Sequence, residues 1–252
     1  LDHAQLLEQR GACARAEHLL ANMDGLLLRQ QPLAEPLLGR LALHRGRLSL
    51  SQGREAQAAA HFESGLQICL RNQDKRALYG FLGLAQLAAN RLDYAQAFVL
   101  LRDAERLMQQ RRIPDTVYRS VLLQMSCHFW LQQGRPHLAH EALTRVLRHY
   151  QGAHARQAPP ATLELIPVLE YLLVLTEVYL EQAHNPLARL EAQLQWARLR
   201  GMSGLQAQLH LALAEVAWLT DHPAVAPQSL QEGLALVERC HLQQAWRESQ
   251  LR

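Results

Sequence analysis

The sequence predicts an all-α fold built from repeated pairs of helices. Leu and Ala, two strong helix formers, supply 88 of the 252 residues. The β-branched residues that favour strands are scarce, with 10 Val, 3 Ile and 5 Thr. The sequence also lacks the Val- and Ile-rich runs that the buried strands of a parallel α/β enzyme need. Together with a helical motif that recurs along the chain, this composition favours helices throughout.

The recurring motif is a small residue, a large apolar residue four positions later, and a small or apolar residue three after that. Ala58, Phe62 and Gly65 show this motif. The four-then-three spacing places all three side chains on one face of a helix. A small first residue lets the second helix of a pair approach the first closely. These anchor alanines recur every 38 to 49 residues, at Ala16, Ala58, Ala97, Ala139, Ala188 and Ala226.

A turn between two antiparallel helices is predicted five residues before the anchor, where three copies have Gly11, Gly53 and Gly134. A second apolar-periodic helix precedes each turn. The predicted pairs are 2–9 with 12–29, 37–52 with 54–72, 76–90 with 93–112, 116–133 with 136–150, 162–182 with 186–200, and 204–220 with 223–240. They predict one domain over residues 1–252, a right-handed α-solenoid of about six tetratricopeptide-like antiparallel helix pairs. The looser connector at 151–162 is either a hinge or a plain loop.

Several function classes are disfavoured by simple counts. Lys75 is the single lysine and follows an Asp, so the Gly-Lys-Ser/Thr core of a P-loop is missing. A formal net charge of +3 gives no strong signal for nucleic acid or a membrane surface. The opening residues lack a charged start and an apolar core, so no secretory signal is expected. The apolar stretch 165–180 contains Pro167 and two glutamates, which predicts a buried helix rather than a membrane span.

Catalytic and metal sites are not expected. The four cysteines (Cys13, Cys69, Cys127 and Cys240) have no close pairs, which argues against a disulfide framework or zinc site and fits a reducing cytoplasm. His137 and His140 lie one turn apart without a third ligand. Cys127 and His128 are adjacent and point about 100° apart on a helix, so Cys127 is interpreted as a packing residue. No cofactor is expected, and the chain is predicted not to be an enzyme.

A polar stripe along the first helices is the predicted ligand-binding surface. In a solenoid of this kind the first helix of each pair lines the concave face. Positions 18 and 11 residues before each anchor are mostly polar and change from basic to acidic along the chain. The predicted binding residues are Arg40, Arg47, Tyr79, Gln86, His128, Glu170 and Glu177 at these positions, together with Gln124, which lies 15 residues before Ala139. The alternative is an ordinary solvated helix face.

The chemistry of this stripe suits a polar or zwitterionic ligand or a peptide. Arg40 and Arg47 are expected to hold a carboxylate or phosphate. Tyr79 offers a stacking face with a hydroxyl group. Glu170 and Glu177 are expected to meet amines or hydroxyls.

Three repeat segments, 11–20, 92–97 and 134–139, carry a family resemblance. The chain resembles the superhelical sensor domain of MalT-like activators, which are ATP-dependent bacterial transcription regulators of the LuxR family. The resemblance implies a cytoplasmic effector domain that binds a small-molecule inducer or a partner protein and controls self-association. It also implies that ATP hydrolysis and DNA binding belong to other parts of such a regulator, so this segment would contact neither nucleic acid nor membrane.

Two other interpretations remain open from the sequence. Many tetratricopeptide proteins are interaction scaffolds whose groove binds a peptide or helix of a partner. The ends of a solenoid also expose apolar faces unless they are capped. Because neither end of this chain shows an obvious polar cap, self-association through the ends is expected.

Overall fold

The structure, a computed structural model, describes residues 1–29, 35–113, 115–151 and 160–252. Every regular element in these ranges is a helix, which confirms the all-α prediction. The helices are α1 (Asp2–Gln9), α2 (Cys13–Leu28), α3 (Glu35–Ser51), α4 (Glu55–Arg71), α5 (Ala77–Asn90), α6 (Tyr94–Gln110), α7 (Asp115–Gln132), α8 (Pro136–Gln151), α9 (Pro160–Tyr179), α10 (Pro186–Leu199), α11 (Ser203–Leu219), α12 (Ala226–Cys240) and α13 (Gln243–Gln250).

The first twelve helices correspond to the twelve that the sequence predicts, with ends that agree to within three residues. Helices that follow one another along the chain pack together, as α3 does with α4 and α5 with α6. Helix α13 was not predicted. Most of the predicted connector at 151–162 lies outside the described residues.

One turn geometry recurs between the paired helices. The three predicted turn glycines all have positive φ: Gly11 (74°), Gly53 (75°) and Gly134 (66°). Leu92 and Glu181 adopt the same conformation, with φ of 64° and 58°, although neither is glycine. At Leu92 the turn is closed by its own N–H, which bonds to the carbonyl of Ala89, and by the N–H of Asp93, which bonds to that of Ala88. This is the hydrogen-bond pattern of a left-handed helix C-cap.

The internal contacts of the chain group it into two compact units. Unit 1 comprises Leu1–Ile113 with Arg239–Gln244, and unit 2 comprises Pro114–Glu238 with Ala245–Arg252. Each unit is described by itself below.

The core of unit 1 depends on glycines that let the Phe62 ring touch neighbouring backbones. Phe62 on α4 is 2% exposed. A Cβ placed on Gly83 of α5 would lie 2.3 Å from the Phe62 ring, and one on Gly46 of α3 would lie 2.7 Å from it. The ring therefore occupies space that any side chain at these two positions would need. The anchor Ala58 is fully buried one turn away, as its predicted role requires.

Residues 239–244 belong to unit 1 through specific polar contacts. The thiol of Cys13 donates to the carbonyl of Cys240 at 3.1 Å. The side-chain amides of Gln244 and Asn90 exchange two hydrogen bonds, of 2.9 and 3.1 Å. Asn90 is buried and also donates to Glu55 at 3.1 Å.

The core of unit 2 is built mainly from leucines and confirms the predicted buried helix at 165–180. Leu169, Leu172 and Leu175 of α9 have no exposed surface. No helix in the described part of the chain is long and apolar enough to cross a membrane. The predicted packing role of Cys127 is confirmed, since its side chain is fully buried with Sγ 4.0 Å from the carbonyl of Ala139.

One anchor of unit 2 was wrongly assigned from the sequence. Ala188 is exposed on α10. The buried residues of that helix are Leu190, Leu194 and Ala197, which repeat the four-then-three spacing two residues later. The prediction failed because a leucine, not an alanine, takes the first position in this copy. Positions counted back from the anchor onto α9 shift by the same two residues.

Candidate functional site

The two predicted binding arginines of unit 1 are held by acidic residues of the same unit. Arg40 Nε lies 2.5 Å from the carboxylate of Asp74. Arg47 Nη2 lies 2.7 Å from the carboxylate of Glu8. Burial of Asp74 opposes its ionisation, but the backbone N–H of Arg76 and the Arg40 guanidinium outweigh this effect and hold the pKa of that carboxyl below its usual range. A ligand carboxylate would therefore have to replace an existing acidic partner.

The other two predicted residues of unit 1 differ in exposure. Tyr79 is 41% exposed, so its ring reaches the surface of α5. Gln86 lies about two turns further along α5, is buried, and donates to Asn90 at 3.1 Å. Of this pair, Tyr79 presents accessible surface, whereas Gln86 contributes to an internal polar contact.

In unit 2, Gln124 is half-buried and His128 is buried on α7. His128 Nε2 lies 3.1 Å from the Tyr171 hydroxyl of α9. Burial lowers the pKa of His128, which keeps the ring neutral near pH 7. Its Nδ1 atom is buried and has no hydrogen-bond partner within the described residues.

Glu170 and Glu177 both face Arg189 of α10. Glu170 lies 3.9 Å from the Arg189 guanidinium, and Glu177 makes the closer contact with it. Both glutamates were selected by counting from the exposed Ala188. Counted from the buried Leu190, the position eleven residues earlier on α9 is Tyr179. Ligand binding by Glu170 and Glu177 stays a prediction.

Tyr179 belongs to a polar network that the sequence prediction missed. Its hydroxyl donates to a carboxylate oxygen of Glu215 on α11. The other oxygen of Glu215 accepts from Arg252, with Nη2 at 2.8 Å and Nε at 3.1 Å. Gln208 of α11 donates to Glu248 of α13 at 3.2 Å. The spacing Leu190, Leu194, Ala197 was the signal that could have located Tyr179.

Within this network, Glu215 and Arg252 form an ion pair beside neutral tyrosine and histidine side chains. Burial and the adjacent Glu215 carboxylate raise the pKa of Tyr179, and burial raises that of Tyr171. Burial opposes the charge of Arg252, but the Glu215 carboxylate outweighs it and raises the pKa of the guanidinium. Near neutral pH the two tyrosines and His128 are therefore uncharged, and Glu215 and Arg252 carry opposite charges.

A second polar region is a cleft of about 250 Å³ between α2, α3 and α4 of unit 1. Arg54 pairs with Glu17 at its rim, and Arg45 pairs with Asp24 at 2.9 Å. Burial, followed by the charges of Arg45 and Arg54, lowers the pKa of His61 in this cleft. None of the predicted binding residues lines the cleft.

Groups of three or more His, Cys, Asp or Glu side chains suited to a metal ion do not occur in the ranges that the structure describes. No known family model matches this chain. Among curated proteins, none is similar enough to count as a relative.

Proposed function

We propose that this chain is a ligand-sensing regulatory domain of a bacterial transcription activator. Its helix pairs would form a right-handed solenoid, and a small-molecule or protein effector would bind the polar face of the first helices. The proposal rests partly on the resemblance to the sensor domain of MalT-like activators. In that scheme the effector controls self-association and activity of the regulator.

One observation carries the proposal. Three successive first helices of unit 2 place a polar residue eleven positions before a buried anchor: His128 before Ala139, Tyr179 before Leu190 and Glu215 before Ala226. Each of the three has a hydrogen-bond partner on another segment of unit 2. Burying polar groups is unfavourable unless they are bonded. Their recurrence among leucines therefore supports a recognition surface over simple core packing.

Effector binding would regulate the protein by shifting the population from one arrangement of the helices to another. An effector changes the state of a protein only to the extent that it binds one arrangement of the helices better than another. The ion pairs of Arg40 with Asp74 and of Glu177 with Arg189 give such a difference a physical basis. An effector that replaces one partner would change which helices those charges hold together.

A thermal-shift screen against polar metabolites tests the proposal. Binding to the folded state raises the melting temperature by mass action. The screen uses the wild type, Arg40→Ala, Tyr179→Phe and Glu177→Ala, with the exposed His137→Ala as the matched control. An effector of the proposed surface gives a smaller shift in at least one of the three site variants and an unchanged shift in the control. Equal shifts in all the proteins would place the binding site elsewhere.

A second candidate function is an interaction scaffold that binds a peptide or helix of a partner. The observation that favours it is the position of Ala245–Arg252, which packs within unit 2 through Glu248 and Arg252 onto polar residues of α11. This surface therefore already accepts a helical segment. A screen with no metabolite hit, together with saturable binding of a helical peptide, would favour the scaffold.

A further inference from the structure

We infer that Glu215 and Tyr179 form a guanidinium-binding site, which Arg252 of the same chain fills, and that an effector bearing a guanidinium group competes with Arg252 for it. This inference deepens the proposed sensing function and rests on it. It assigns a chemical class, a guanidinium compound or an arginine-bearing peptide, to the ligand of this surface.

The geometry of the site suits a planar guanidinium group, whose N–H donors point in fixed directions. Nε and Nη2 of Arg252 both bond to Glu215, at 3.1 and 2.8 Å, and Nη1 lies 3.4 Å from the main-chain carbonyl of Glu248. The Tyr179 hydroxyl donates to the Glu215 oxygen on the other side. All three guanidinium nitrogens of Arg252 thus meet an oxygen, and the two bonds to Glu215 remain available to a ligand when α13 is displaced. An ammonium group is a compact point charge and cannot reproduce this arrangement.

The site is also largely removed from water. The Arg252 side chain is 4% exposed and that of Glu215 is 18% exposed. A buried carboxylate that loses its cation is strongly unfavourable. With Arg252 withdrawn, the site therefore favours another cation of the same shape. His128 and Tyr171 nearby are neutral and do not compete for the carboxylate.

The segment that carries Arg252 contacts α11 through polar side chains. Helix α13 has eight residues and no buried side chain. Isolated helices shorter than about 12–15 residues are marginal in water, so α13 has little stability of its own. Because Arg252 and Glu248 join the segment to α11, a ligand that takes over Glu215 would remove one of these contacts and loosen the segment.

The first experiment removes the resident guanidinium. Isothermal titration calorimetry of the Arg252→Ala chain compares L-arginine with L-citrulline, which has nearly the same shape but no charge. We expect L-arginine to bind on the order of tenfold more tightly than L-citrulline, because citrulline keeps N–H donors but lacks the positive charge that pairs with Glu215. Wild type should bind L-arginine more weakly than Arg252→Ala does, since Arg252 must first be displaced. The double variant Glu215→Gln/Arg252→Ala should lose the discrimination.

The matched control is Arg145→Ala, which removes the arginine of an exposed ion pair with Glu141 in the same unit. It should bind L-arginine as weakly as wild type does. Equal binding of L-arginine and L-citrulline by Arg252→Ala would overturn the inference. Discrimination that survives in the double variant would overturn it as well.

A second measurement needs no variant to fold. Trypsin cleaves after Arg247 of α13 only when that segment leaves its site, so L-arginine should accelerate this cut in the wild type and L-citrulline should not. An unchanged rate with both would contradict the inference. If another metabolite stabilises the chain through Tyr179 while L-arginine fails both tests, the guanidinium inference is wrong and the sensing function stands.

Discussion

The two units bury their helices by different means. Unit 1 brings backbones close together through glycines, and the ring of Phe62 lies directly against Gly46 and Gly83. Unit 2 fills its core with leucines and adds a network of buried polar side chains that ends at Arg252. One ion pair from each unit also differs in exposure. Arg45 and its partner in unit 1 keep roughly a third of their side-chain surface exposed, whereas Arg252 is almost wholly enclosed.

The same sequence pattern of helix pairs is therefore packed in two ways, through close backbone contacts in unit 1 and through leucines and hydrogen-bonded polar side chains in unit 2. A core of close backbone contacts tolerates few changes of arrangement, because interiors are densely packed. A polar network can exchange one hydrogen-bonding partner for another of the same chemistry. We therefore expect the Phe62 core of unit 1 to be rigid, and we place the exchangeable contact of the proposed sensing function in the polar network of unit 2.

The largest expected effect is the loss of Phe62. Phe62→Ala should lower the free energy of unfolding by about 3–5 kcal/mol, because the vacated space is bounded by helix backbones that cannot move in to fill it. Urea denaturation followed by circular dichroism measures this change. Val99→Ala on the exposed side of α6 is the control and should have little effect. A loss below that of an ordinary surface substitution would refute the rigid core of unit 1.

Breaking the ion pair of unit 2 should have the next largest effect. Glu215→Gln leaves the Arg252 guanidinium buried without a counter-charge, and we expect a loss of about 2 kcal/mol, limited by release of α13. Hydrogen exchange should show faster exchange in residues 245–250. The double variant Glu215→Gln/Arg252→Gln should lose less than the sum of its single variants. Strict additivity would mean that the pair is not coupled.

A pH titration should separate a half-buried histidine of unit 1, His44, from surface histidines. Burial, followed by the charge of Arg47, lowers the pKa of His44 to about 4 from 6.5. The unfolded chain therefore takes up the proton first, so stability is retained above pH 6.5 and lost as the pH falls towards 4. After allowance for partial exposure, we expect His44 to account for about 2 kcal/mol of that loss.

The variant His44→Gln should flatten the dependence of unfolding free energy on pH between 6.5 and 4. His18→Gln, at an exposed position on α2, is the control and should keep the wild-type slope. Identical slopes for all three proteins would mean that His44 is solvated in the folded chain.

The smallest expected effect is at an exposed ion pair of unit 2. The side chains of Arg145 and Glu141 are 76% and 71% exposed. Because solvent screens such pairs, Arg145→Ala should leave the unfolding midpoint unchanged within error. A clear loss of stability here would weaken the contrast with Arg252, since it would show that exposure does not decide the strength of these pairs.

Periodicity predicted most of the fold but not α13. The first twelve helices each have an apolar stripe that repeats at helical spacing, and the burial of Ala58 and Ala139 confirms it. Helix α13 reads Gln-Gln-Ala-Trp-Arg-Glu-Ser-Gln and buries no side chain, so it lacks such a stripe. Tertiary polar contacts, which leave no local pattern, hold it in place.

The candidate site was harder to predict because its partners are distant in sequence. Arg47 meets Glu8 across 39 positions, and Arg252 meets Glu215 across 37. The spacing rule selected His128, and the same rule applied to Ala226 points to Glu215, which was not among the predicted binding residues. It missed Tyr179 because a leucine replaces the alanine that marks the other repeats. Because Ala188 rather than Leu190 was taken as the anchor, the rule selected Glu170 and Glu177 on α9 instead of Tyr179.

The turn at Leu92 has a consequence for how a chain of repeated hairpins can lengthen by gene duplication. Its two closing hydrogen bonds run to Ala88 and Ala89, inside the same hairpin, and its left-handed residue is not glycine. In a hairpin closed in this way, the hydrogen bonds that end the first helix lie within the hairpin itself. The residue at the bend does not have to be glycine. A gene segment that encodes one hairpin can therefore be duplicated, and its copies can diverge, without the loss of the turn that defines the unit.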